Sequence, residues 1–188
     1  SIEKQFKIFA IRNVLSKLSN KQYLLINLLV TPGLAFILAF FTKKLVDGKY
    51  IFAENDNLHV YLFMSIVVAI FIGLTVSAQE IIKDKHILER ESFLNLSYFS
   101  FINSKIMVLF VMSAIQMLLF VLIGNWILEI KDMTFSYWLL LFSTAAFSNL
   151  TGLNISSAFN SIVNIYIIIP FILVPQLLLG GALVPFDD

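Results

Sequence analysis

Eight titratable side chains crowd into the fourteen residues AQEIIKDKHILERE, Ala78 to Glu91. Carboxylates, ammonium groups, a guanidinium and an imidazole stand side by side there, in a chain that is 59% hydrophobic and only 13% charged. Such a set can form a solvated loop, relay ions, or dock against another protein. Part of its charge can be answered internally. Glu80 with Lys83, and Lys85 with Glu89, fall at helical neighbour spacing. Ala78, Ile81, Ile82 and Leu88 make a partial apolar stripe that Lys85 and Glu89 interrupt. The simplest picture is a helix along the inner membrane face, continuing from the apolar run before it. That helix is either a solvated connector or a lever pressed by a soluble partner.

Catalytic chemistry finds little support. A hydrolase needs a nucleophile beside a base, or a metal cluster. The chain has no Cys and two His, His59 and His86, which fall in loops assigned to opposite sides of the membrane. No thiolate metal site or disulfide is available to it. A net charge of +1 gives no bias toward nucleic acid.

The charged stretch must be held by apolar elements. A soluble domain is about 25% charged. This chain has half that share and nineteen Phe, more apolar surface than a small water-soluble fold can hide. The bilayer is its natural solvent, and about 20 apolar residues make a helical span. Five windows qualify: Tyr23–Phe41, Val60–Ala78, Ile106–Leu128, Phe135–Phe159 and Ile162–Val184. None contains Asp, Glu, Lys, Arg or His. Ion-coupled transporters usually keep such a group within the membrane. If this chain moves a substrate, the energy comes from elsewhere.

Lys and Arg set the orientation. Nine of them lie before the first span or between the second and third, against four on the other side. The N-terminus and the charged stretch are therefore expected in the cytoplasm. The opening residues are not a signal peptide, because charges run through Lys21 and no small-residue cleavage pattern follows. Ile8, Ile11, Leu15 and Leu18 form one helical stripe flanked by basic residues. That pattern fits a helix lying in the interface or an ordinary juxtamembrane helix. Mild polar residues dot the spans, most of them read as helix-packing contacts. Asn149, Asn154, Asn160 and Asn164 are denser than that reading needs. They predict a helix buried in protein or a polar opening near the cytoplasmic end. Pro170 and Pro175 predict a kink or hinge in the fifth span.

Three stretches, in order, resemble the ABC type-2 permease family, in particular ABCG-like exporters. VSAQEIIKDKHILERESFLNLSYFSFINSKI matches a span, a small-x-Glu-apolar sequence, a charged run ending in Arg-Glu, then an aromatic turn and a Ser-Lys pair. Ala78, Glu80, Ile81, Arg90, Glu91, Tyr98, Ser104 and Lys105 occupy those places. PFILVPQLLLGGALVPFDD resembles the family's fifth helix, and FKIFAIRNVLSKLSNKQYLLINLLVTP its connecting helix and first span.

The resemblance implies an all-α, polytopic membrane helical bundle with the ABCG-like exporter fold. It comprises an interfacial helix over 1–21, spans over 22–42, 60–78, 106–128, 135–159 and 162–184, and a cytoplasmic coupling segment over 79–105. The family's sixth span has no counterpart, so the chain reads as a piece of a longer polypeptide. No P-loop is present. ATP and Mg would sit on a nucleotide-binding domain, fused or separate, and the segment would not itself be an enzyme. Two permease units, alike or different, would form the dimer. By position, Glu80, Lys83, Asp84, His86, Glu89 and Arg90 are the implied coupling residues. Gly73, Val174 and Leu177 would line the substrate cavity, whose apolar character suggests lipidic or amphipathic cargo. Ala182 and Leu183 would form the valve, with Ala182 standing where the family often has Leu. The alternative is an ATP-independent channel or scaffold subunit.

Overall fold

A computed structural model describes residues 2–46, 49–91 and 97–179. Helix α1 (Ile2–Ser19) ends one residue before α2 (Lys21–Thr42). Asn20 makes the break, its side chain accepting the Tyr23 backbone N–H at 3.0 Å as the N-cap of α2. A two-residue antiparallel pair follows, β1 (Leu45–Val46) with β2 (Lys49–Tyr50), a small departure from an all-helical chain. Helices α3 (Leu58–Ser77) and α4 (Glu80–Glu91) are separated by two residues. Then come α5 (Tyr98–Leu128), α6 (Thr134–Ala158) and α7 (Ile162–Leu179).

Among the described residues four stretches are long and apolar enough to cross a membrane: α2, α5, α7, and Leu58–Arg90, whose apolar part is α3. Helix α6 matches the fourth window and carries no charge, but its Ser, Thr and Asn content keeps it out of that set. The bundle's outer face is apolar, with Phe41, Trp126, Phe147 and Phe171 all largely exposed. In water such a surface is a liability, and in lipid it is the expected exterior.

Small residues set the packing. Ser65, Ala69, Gly73 and Ser77 recur every fourth position of α3 and are all buried. They face Ala145, Ser148, Gly152 and Ser156 of α6, likewise buried. The α3–α6 contact is the most extensive in the chain, followed by α2–α5, α5–α6 and α1–α5. A Cβ on Gly73 would lie 2.8 Å from the Ala145 carbonyl oxygen, and one on Gly152 would lie 1.9 Å from Ser77 Oγ. Backbones this close need glycine at both places. Gly124 of α5 leaves the notch that Tyr61 fills, since a Cβ there would lie 1.8 Å from its hydroxyl. Around Tyr61 sit Met117, Phe120 and Leu141, all fully buried, at the centre of the main core.

Several polar side chains inside the bundle are paired locally or across helices. Asn149 donates to Ser113 Oγ at 2.7 Å, and Ser65 bonds Tyr137. Of the four clustered asparagines, Asn149 alone lies in the interior; Asn154, Asn160 and Asn164 are exposed. Asn149 and Asn154 lie five positions apart on α6 and so point to different sides, while Asn160 falls in the link to α7 and Asn164 on α7. At the far end, Tyr50 donates to the Leu128 carbonyl at 2.9 Å and accepts from Asn55 at 3.4 Å, which pins the segment before α3 onto the end of α5.

Gly73→Ala forces a methyl against the α6 backbone and should cost about 1–3 kcal/mol. Gly33→Ala, where nothing lies within 4 Å, should be neutral or slightly stabilising. Thermal midpoints of the two variants in detergent, read by loss of the monodisperse species, check this contrast.

Candidate functional site

The charged stretch forms α4, and its first turn is where the chain's buried charge collects. Glu80 sits between two ammonium groups from distant helices. Lys17 of α1 contacts Oε1, and Lys105 of α5 lies 3.2 Å from Oε2. Lys105 also reaches Asp84 at 2.5 Å. The Glu80, Lys17 and Lys105 side chains are 7%, 12% and 6% exposed. Two cations and two carboxylates balance, so the cluster is neutral as a whole. Lys17 further donates to the Tyr23 hydroxyl at 3.1 Å and lies over its ring, while Asn13 beside it donates to Ser104 at 3.1 Å. Glu80 also stands in the first turn of α4, where a helix favours negative charge.

The electrostatics follow from these partners. Burial pushes the Glu80 carboxyl upward, but Lys17 and then Lys105 outweigh it and hold it below the ordinary 4.5. Burial likewise pushes the Lys17 ammonium down, and Glu80 with Tyr23 more than reverses that, holding it above 10.5. Both stay ionised across the neutral range.

The opposite side of α4 is tied to the end of α6 and the start of α7. Ser156 Oγ accepts the backbone N–H of Ile81 at 3.0 Å and of Ile82 at 3.1 Å, so a residue of α6 caps α4. Lys85 donates to Asn160, and Gln79 to the Tyr166 hydroxyl. Beneath them Ile81 packs with Leu109 and Leu153. The element thus makes polar contact with α1, α5, the α6 end and α7.

The six implied coupling residues divide between two faces. Glu80 and Asp84 turn inward. Lys83, His86, Glu89 and Arg90 are exposed, with the His86 side chain 88% exposed and 3.7 Å from Glu89. The expected pairs within α4 are replaced: Glu80 pairs with Lys17 and Lys105, and Lys85 with Asn160. A buried carboxylate takes the partners that are buried with it, not the solvated lysine one turn along. Lys105, counted as a loop cation, lies inside α5, which starts eight residues before the third window. The implied cavity residues also separate. Gly73 is buried against α6, where it serves helix packing, while Val174 is exposed and Leu177 half-buried on α7. The valve residues Ala182 and Leu183 lie outside the described residues. Among the described residues no group of three or more His, Asp or Glu could hold a metal.

The site's best-connected members beyond Glu80 are Lys17, Lys105 and Ser156. Their sequence signal was faint. A Ser-Lys pair opening a span and a lysine beside the apolar stripe of α1 read equally well as flanking charge.

An ionic helix is fastened to one end of a bundle of long apolar helices. The chain matches the model of the family described as ABC-2 type transporter over residues 4–188, and it belongs to that family. It is an integral membrane permease component of an ABC transporter, the partner of an ATP-binding component. Searches of curated proteins and of solved structures found no match.

Glu80→Gln leaves the buried Lys17 without a carboxylate and Lys105 with Asp84 alone, and should cost about 3–5 kcal/mol, where Asp84→Asn, with a more exposed side chain, should cost much less. Faster amide exchange along α1 in the Gln variant is the readout. Glu80's folded pKa is lowered, so its stabilisation is complete above the unfolded value and is lost only as pH falls through the folded one. Protection of α1 should therefore stay flat from pH 8 to about 5.5 and fall below about 4.

Proposed function

We propose that the chain is the membrane domain of an ATP-driven, ABCG-like exporter and that α4 is its coupling helix. The observation that carries this is the two-sided wiring of α4. One face is locked to α1 and α5 through Glu80, with further ties to α6 and α7, while Lys83, His86, Glu89 and Arg90 are exposed. A push on the outward face is carried into several helices at once. ATP and Mg belong to a nucleotide-binding domain, fused or separate, docked on that face. The N-terminus lies in the cytoplasm and the bundle in the plasma membrane.

Two such units would meet along α7. Its Val163, Ile167, Phe171, Val174 and Leu178 recur at 4-4-3-4 spacing and are exposed, an apolar seam of coiled-coil type. In a homodimer or heterodimer, Val174 and Leu177 would border the path between the units, which suits lipidic or amphipathic cargo. Ala182 and Leu183 remain the proposed valve by resemblance.

The test uses the complete transporter in proteoliposomes with its ATP-binding component. Lys83→Glu with Arg90→Glu should lower ATP-dependent transport and association with that component at least several-fold, while the thermal midpoint of the membrane domain stays unchanged. Transport that continues without ATP, or an undiminished response in the double variant, would favour the channel or scaffold reading.

A further inference from the structure

A second site lies away from the α7 seam and meets α4 only through Lys83. Helices α2, α3 and α5 enclose a cleft of about 300 Å³ whose lining includes Asn27, Thr31, Thr75 and Gln116. Its size falls at the lower end of small-ligand pockets, about 300–1,000 Å³. Its rim is apolar and faces the lipid, with Ile26, Val30 and Phe71 all substantially exposed.

Gln116 is the unusual member. It is 2% exposed, and its Nε2 donates to the Asn27 backbone carbonyl at 3.2 Å. Its Oε1 has no hydrogen-bond partner among the described residues. Turning the amide over would leave the nitrogen unpartnered instead. Buried polar atoms are rarely left so. The rest of the wall defines what kind of partner fits. Thr31 donates to the Asn27 carbonyl at 3.5 Å and Thr75 to the Phe71 carbonyl at 2.8 Å, so both hydroxyls spend their proton within their own helices. What the two hydroxyls and Gln116 Oε1 still offer are acceptor oxygens, beside one spare N–H on Gln116 Nε2. The missing partner is therefore a donor. A cation is disfavoured, because no carboxylate lines the cleft and Lys83 stands among its lining residues.

We propose that this cleft binds an uncharged, hydroxyl-bearing membrane amphiphile. Its hydroxyl donates to Gln116 Oε1, and its apolar part lies against Ile26, Val30 and Phe71. The bilayer supplies such molecules directly through the open rim.

The intact transporter in nanodiscs is irradiated with a monoacylglycerol carrying a diazirine on its chain, and in parallel with the same lipid methylated at both hydroxyls. Labelled peptides from residues 23–31 and 71–76 are expected with the first, and several-fold fewer with the second. Gln116→Met, which keeps the volume and removes the acceptor, should lower labelling to the level of the methylated lipid. Thr75→Leu fills the cleft from a half-buried wall position without touching Gln116, and should do the same. Equal labelling by the two lipids, or wild-type labelling in either variant, overturns the proposal and leaves the polar end of the cleft to water.

Discussion

A carboxylate held in the interior between two ammonium groups governs one end of this molecule. Removing Glu80, Lys17 and Lys105 from water singly would be prohibitive, since each isolated buried ion costs several kcal/mol. Together they compensate one another, and only when α1, α4 and α5 are in register. None of the three helices can shift alone without baring a charge. The ionic contact therefore acts less as glue than as a constraint that makes three helices one mechanical part. Ser156 extends the part to α6 by capping α4 from outside, and Tyr166 extends it to α7.

Behind that junction the bundle is rigid for a different reason. Small residues every fourth position let α3 and α6 approach until glycine is the only side chain that fits at Gly73 and Gly152. Tyr61, seated in the notch at Gly124, locks α3 to α5 at the other end. Dispersion between closely packed backbones does here what hydrophobic burial does in water. Motion imposed on α4 thus meets a stiff block of α2, α3, α5 and α6. Helix α7 is held more lightly, with Ile165 and Ile169 its buried residues.

The helical, membrane-spanning character was legible because apolar runs of this length have few other uses. The first two windows and the fourth begin within two residues of α2, α3 and α6. The third began too late, because Lys105 looked like a boundary and is instead a buried partner of Glu80. Pairings along α4 were misread for a related reason. Spacing reveals which charges lie close on one helix, but not which of them another helix will bury. Gly73 was taken from the resemblance as a cavity residue, although its place in a Ser-Ala-Gly-Ser repeat at every fourth position marks it as a packing residue. The asparagine cluster was read as one face, although its spacing spreads it around two helices.

Helix α6 has one more consequence, for biosynthesis. It is 25 residues long and free of charge, yet its hydroxyl and amide groups make it the least apolar of α2, α3, α5, α6 and α7. Its Ser148, Asn149 and Ser156 are sheltered only because α3, α5 and α4 already stand around them. During synthesis this segment leaves the ribosome after those three, so its neighbours can receive it. Chain order and polarity are matched: the segment least able to settle among lipids alone emerges when its hosts are already in place.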